Sequence, residues 1–178
     1  GVAYRLLGQF ERSIRDFEEA ISINPQYSEA YYNRAYAYTE LGLYEPAVAD
    51  LDTSIRLDPQ YVKAYNNRGV VYTELGQYEQ AIEDFNKAIT LNPEHAKAYY
   101  NRGFAYIELG RYEQAIQDYD QVVRLDPQDA KGYSNRGVAY RKLGQYVRAI
   151  EDFDEAIGRN PSYADAYYNR AYAYDELG

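Results

Sequence analysis

The chain has 178 residues, 46% of them apolar and 26% charged, a balance that excludes a disordered tail. Its formal charge of −9 has the wrong sign for neutralising phosphates and argues against nucleic acid and anionic membrane as partners. There is no Cys, Met or Trp, hence no disulfide framework, no thiolate nucleophile and no cysteine metal site, whereas tyrosine is abundant at 24 residues.

Gly and Pro punctuate the chain at a constant interval. Leu-Gly pairs stand at Leu7-Gly8, Leu41-Gly42, Leu75-Gly76, Leu109-Gly110, Leu143-Gly144 and Leu177-Gly178. Asn/Asp-Pro pairs follow the same 34-residue period at Asn24-Pro25, Asp58-Pro59, Asn92-Pro93, Asp126-Pro127 and Asn160-Pro161. The array over 1–178 therefore divides into a partial unit 1–27, four whole units 28–61, 62–95, 96–129 and 130–163, and a first helix only in 164–178. Neither end falls on a unit boundary and no Met opens the chain, so a segment of a longer array is expected.

Each unit carries two stretches of helical spacing, read as antiparallel helices. The unit 28–61 has Pro46 in the first turn of its second helix, where a missing N–H costs little. In 62–95 the stretches are Tyr65, Gly69, Tyr72 and Leu75, then Ala81, Ile82, Phe85, Ala88 and Ile89. Gly76 is expected to end the first as a left-handed residue, and Asn92 before Pro93 to end the second. In 96–129 Val122 replaces an Ala or Ser and should spread that hairpin. In 130–163 Gly158 and Arg159 weaken the end of a 147–159 helix, which should fray first. No strand pattern occurs.

One hairpin cannot bury its own apolar face, so the units must stack. Gly69, Gly103 and Gly137, with Ala35 and Ala171, face the alanines of the second helices and allow close approach, while Phe85, Tyr119 and Phe153 are expected to fill the gap toward the following unit.

Tyr65, Gly69, Tyr72, Ala81, Phe85 and Pro93, repeated in register along the whole chain, resemble the tetratricopeptide repeat family. The resemblance implies an all-α, right-handed superhelical solenoid of antiparallel helix hairpins, whose concave wall of first helices binds a peptide or partner protein. Where that family usually has leucine, this chain has Arg34, Arg68, Arg102, Arg136 and Arg170. Asp16, Asp50, Asp84, Asp118 and Asp152 recur with the same period in the second helices, so a structural Arg–Asp ladder is expected, within each unit or else to the preceding one. Pairing within units would leave Asp16 and Arg170 as orphans.

Asn33, Asn67, Asn101, Asn135 and Asn169 form a second row on the first helices. In the resembled family, asparagines here line the groove and bond an extended peptide's backbone, and an amide has the acceptor and donors for that task. The alternative is that they bridge neighbouring first helices. Tyr32 and Tyr100 one residue before this row, and Tyr36, Val70, Phe104 and Val138 three after it, would give the groove an apolar floor. Lys63, Lys97 and Lys131 would form a basic edge, opposite Glu40, Glu74, Glu108, Lys142 and Glu176. The family's carboxylate clamp is only partly matched, by Asn67 or Asn101 and Lys97 or Lys131.

Catalysis has little support. His95 is the sole histidine, no glycine-rich loop follows a strand, and the carboxylates recur as solvated faces do, so neither a cofactor nor a metal is expected. The reading is a non-enzymatic scaffold binding a protein or peptide. The alternative is head-to-tail self-association through the unfinished terminal repeats, which sedimentation across a concentration range would separate. No membrane span or signal segment is visible, so a soluble protein in the cytoplasm is favoured.

Overall fold

The computed structural model describes residues 1–178 and contains eleven helices and no strand. The chain forms two compact units, Gly1–Pro93 and Glu94–Gly178. The first holds α1 (Val2–Leu6), α2 (Phe10–Ile23), α3 (Ser28–Glu40), α4 (Tyr44–Leu57), α5 (Val62–Glu74) and α6 (Tyr78–Leu91). The second holds α7 (Ala96–Glu108), α8 (Tyr112–Leu125), α9 (Ala130–Lys142), α10 (Tyr146–Arg159) and α11 (Ala164–Leu177). In each unit a second helix packs against the first helix of its own repeat and that of the next.

Two local devices set the hairpins. At the end of α5, Gly76 takes φ +71°, a conformation that costs a residue without Cβ nothing. Its N–H reaches the Thr73 carbonyl at 3.0 Å and the Gln77 N–H reaches Tyr72 at 2.8 Å, closing the last turn. Second helices instead stop before Pro: Asp58 turns to φ −134°, ψ 92°, and its carboxylate accepts the Gln60 N–H at 3.0 Å.

The hairpins are held in a constant offset of sixteen residues. A Cβ built on Gly69 would meet the Phe85 ring at 2.6 Å, one on Gly103 the Tyr119 ring at 2.9 Å, and one on Gly137 the Phe153 ring at 2.8 Å. Each aromatic is thus seated on the glycine of its own repeat and also reaches the following one, Tyr119 sharing a core cluster with Ala139 and Phe153 with Ala173. Where the pair is Ala35 and Leu51, the branched chain leaves room for the methyl, and both are fully buried in one cluster.

Val122 packs against the first helix of the next repeat. A Cβ at Gly132 would stand 2.8 Å from Val122 Cγ1, and Gly132 occupies a place that is Ala30, Ala64, Ala98 or Ala166 elsewhere. The added bulk of one helix is matched by the lost methyl of the next. The end of α10 is likewise tied down. Arg159 donates to the Pro127 carbonyl at 2.6 Å, to Tyr133 Oη at 3.0 Å and to the Glu155 carbonyl at 3.0 Å, pairs with the Glu155 carboxylate, and lies 4.0 Å over the Tyr133 ring. That clamp opposes the fraying expected from Gly158.

Candidate functional site

The arginine row comes first, because it fixes the first helices that carry everything else. Arg34 Nε and Nη2 donate to Asp50 at 2.7 Å each. Arg68 does so to Asp84 at 2.8 and 2.6 Å, Arg102 to Asp118 at 2.8 and 2.5 Å, and Arg136 to Asp152 at 2.9 and 2.6 Å. Every fork is bidentate and lies within one repeat. The carboxylates are 8% exposed or less, while the guanidinium groups keep 17–18% or 19%. Burial pushes the Asp84, Asp118 and Asp152 carboxyls up, against the pull of the facing arginines.

Some of these arginines have a further arm that the sequence reading missed. Arg68 Nη1 also donates to Asp52 at 2.5 Å and Arg136 Nη1 to Asp120 at 2.6 Å, each carboxylate belonging to the preceding repeat. Arg170 is not an orphan, since it pairs with Asp154 in the same way, and Asp16 pairs with the chain's amino terminus. The signal was present as a periodic row, Glu18, Asp52, Asn86, Asp120 and Asp154, two residues after the ladder aspartates. The tyrosine excess finds part of its cause here. Arg34 lies between the Tyr31 and Tyr38 rings at 5.8 and 5.9 Å, Arg68 between Tyr65 and Tyr72 at 5.9 and 6.0 Å, and Arg102 between Tyr99 and Tyr106 at 5.7 and 5.8 Å.

The asparagine row is partly consumed by the fold. Asn33 is buried and its amide donates to the Glu29 carbonyl at 2.8 Å, as Asn169 does to Asp165. Asn135 Nδ2 donates to Tyr100 Oη at 2.9 Å across neighbouring first helices. Asn67 hydrogen-bonds Tyr32 in the same relation, which pulls that phenol down while burial pushes it up. Asn66 Nδ2 approaches Asn67 Oδ1 at 3.4 Å. Asn101 is half-buried and has partners of its own.

The remaining groove candidates separate by unit. In the first, Tyr36 and Val70 are half-buried, with Arg5 stacked 4.6 Å from the Tyr36 ring, and Lys63 is exposed beside Tyr27, Ser28, Glu29, Asp58 and Tyr61 around an opening of 430 Å³. In the second, Lys97 and Lys131 are exposed. There Phe104, Ile107, Glu108, Tyr119, Asn135, Val138 and Lys142 surround a hollow of 290 Å³. Phe104 is 42% exposed, a large apolar side chain held open to solvent in mid-helix. His95 stands immediately before the first residue of α7, and no group of carboxylates and histidines is arranged to hold a metal ion. No helix is long and apolar enough to cross a membrane.

Comparison with known proteins gives the same picture. A family model described as TPR repeat matches residues 1–42, 35–76, 69–110 and 105–144, and one described as Tetratricopeptide repeat matches 130–163. No curated protein matches the chain. Among solved structures, MamA from Desulfovibrio magneticus is 25% identical with a TM-score of 0.81, the match covering 91% of this chain and 96% of that one. A thermophilic TPR protein of Thermus thermophilus is 27% identical with a TM-score of 0.75, covering 98% and 95%. YrrB, a TPR protein with an unusual peptide-binding site, has a TM-score of 0.81 over 95% and 87%, and at 22% identity that likeness shows the fold alone. The fold class is thus an all-α solenoid of helix hairpins.

Proposed function

The chain belongs to the tetratricopeptide repeat family, and from that premise we propose that it is a non-enzymatic scaffold whose first helices bind an extended peptide or partner segment. The fold fits a protein-interaction scaffold, and the family models that match the chain are repeat models. The observation that carries the reading is Phe104. Most other large apolar groups in the open lie toward the chain's two ends, at Val2 to Tyr27 and Tyr167 to Leu177, or at the start of a second helix, as Leu43 and Val147 do. Phe104 sits on a first helix, beside amide groups and above a hollow, which is how a recognition surface differs from a solvated one.

The asparagines then serve both purposes. An amide that spends one N–H on a neighbouring tyrosine keeps a carbonyl for a ligand's backbone N–H. The test is selection of a peptide from a displayed library on the intact chain, followed by titration against Asn101→Ala with Asn135→Ala. Weakened binding with the fold retained supports the reading, and a library that enriches no peptide overturns it.

A further inference from the structure

The hollow in the second unit has a composition that its counterpart positions lack. Its apolar wall is Phe104 and Ile107 from α7 and Val138 from α9. One repeat pair earlier the same register holds Tyr36, Thr39 and Val70, and there the Thr39 hydroxyl is spent on the Ala35 carbonyl at 2.9 Å and Tyr36 bonds Glu40. The rim differs as well. The row Glu40, Glu74, Glu108, Lys142, Glu176 is acidic except at Lys142. In a chain of net charge −9, that lysine places one cation beside an apolar hollow and opposite Glu108.

We propose that this hollow takes one large aliphatic or aromatic side chain of an extended peptide, and that a carboxylate of the same peptide pairs with Lys142. The inference rests on the peptide-binding reading above and names its ligand chemistry. Size supports it: 290 Å³ lies just below the range of sites built for whole small molecules, about 300–1,000 Å³, and suits a single side chain. Charge supports it too, because at the hollow an anionic group is repelled by Glu108 and attracted by Lys142, which orients the peptide. Asn135, in the wall with one N–H already on Tyr100, presents its carbonyl to the peptide backbone.

The experiment is library selection on the intact chain, then titration of an enriched peptide. Enriched sequences should pair a Leu, Ile or Phe with a nearby Asp or Glu, or end in a free carboxylate shortly after it. Amidating the peptide's C-terminus separates the two sources, since it abolishes the gain only in the terminal case. Phe104→Ala, at a position 42% exposed, and Lys142→Glu should each lose about tenfold in affinity. Lys142→Glu should regain affinity for a peptide whose carboxylate is replaced by lysine, a rescue that a merely structural lysine would not give. Enriched peptides that both substitutions leave equally tight would overturn this site while preserving the peptide-binding reading. A selection that enriches nothing overturns both.

Discussion

A Cβ placed on Gly69 would stand 2.6 Å from Cε1 of Phe85, closer than two carbons pack, and Phe85 is fully buried, so its ring has nowhere to move. Gly69→Ala gains about 1 kcal/mol of helix propensity and is opposed by an overpacking cost of about 1–3 kcal/mol. Net destabilisation is expected in urea melts. Gly69→Ala with Phe85→Leu recreates the Ala35–Leu51 pair of the neighbouring repeat, so the two losses should not add, with a coupling of about 0.5–3 kcal/mol. Simple additivity would show that the two residues do not compete for one space.

Arg68 grips two carboxylates of unequal worth. Asp84 is 7% exposed and accepts a two-pronged bond, whereas Asp52 is 54% exposed and accepts one. Asp84→Ala leaves a guanidinium that is 19% exposed with only the exposed Asp52 as partner and should cost up to about 3–5 kcal/mol. Asp52→Ala should cost about 0–1 kcal/mol, and less still in high salt. Equal losses in chemical denaturation would mean that burial does not govern the ladder.

These pairs also show what was legible in the sequence. The period, the hairpins and the aspartates opposite the arginines could be read because each has a local or strictly periodic cause: Gly76 at positive φ, Pro59 after Asp58, an arginine and an aspartate sixteen residues apart. Asp52, Asp120 and Asp154 were hidden because Glu18 and Asn86 break their row and an exposed carboxylate resembles solvated surface. The asparagines were ambiguous for another reason. Whether an amide bridges helices depends on a tyrosine thirty-five residues earlier, present for Asn67 and Asn135 as Tyr32 and Tyr100, but Ser134 for Asn169.

Val122 and Gly132 form a compensating pair that no single helix reveals, being on α8 and α9 with Cγ1 2.8 Å from where a Cβ would sit. Gly132→Ala should therefore destabilise despite its better helix propensity. Adding Val122→Ala restores the small-residue pairing of Ala156 with Ala166, and the double variant should melt above the single one. A double variant that melts lower would place the strain elsewhere.

Tyr119 supplies a pH-dependent test of the same core. Burial pushes its phenol above the ordinary value of 10.0, with the Asn135 hydrogen bond pulling the other way. The folded chain then holds this proton more tightly than the unfolded chain, so the site's contribution is whole below about pH 10 and is lost as pH rises beyond it. Tyr119→Phe keeps the ring that Phe17, Phe85 and Phe153 provide at the same position, while losing a hydroxyl bond worth about 0.5–1.5 kcal/mol. At neutral pH the variant should melt slightly below the parent. Between about pH 10 and 12 its Tm should fall less steeply, measured by circular dichroism alongside tyrosinate absorbance. Parallel Tm curves would mean that the Tyr119 proton is not linked to folding, because a buried phenol that must ionise has to draw on the stability of the folded state.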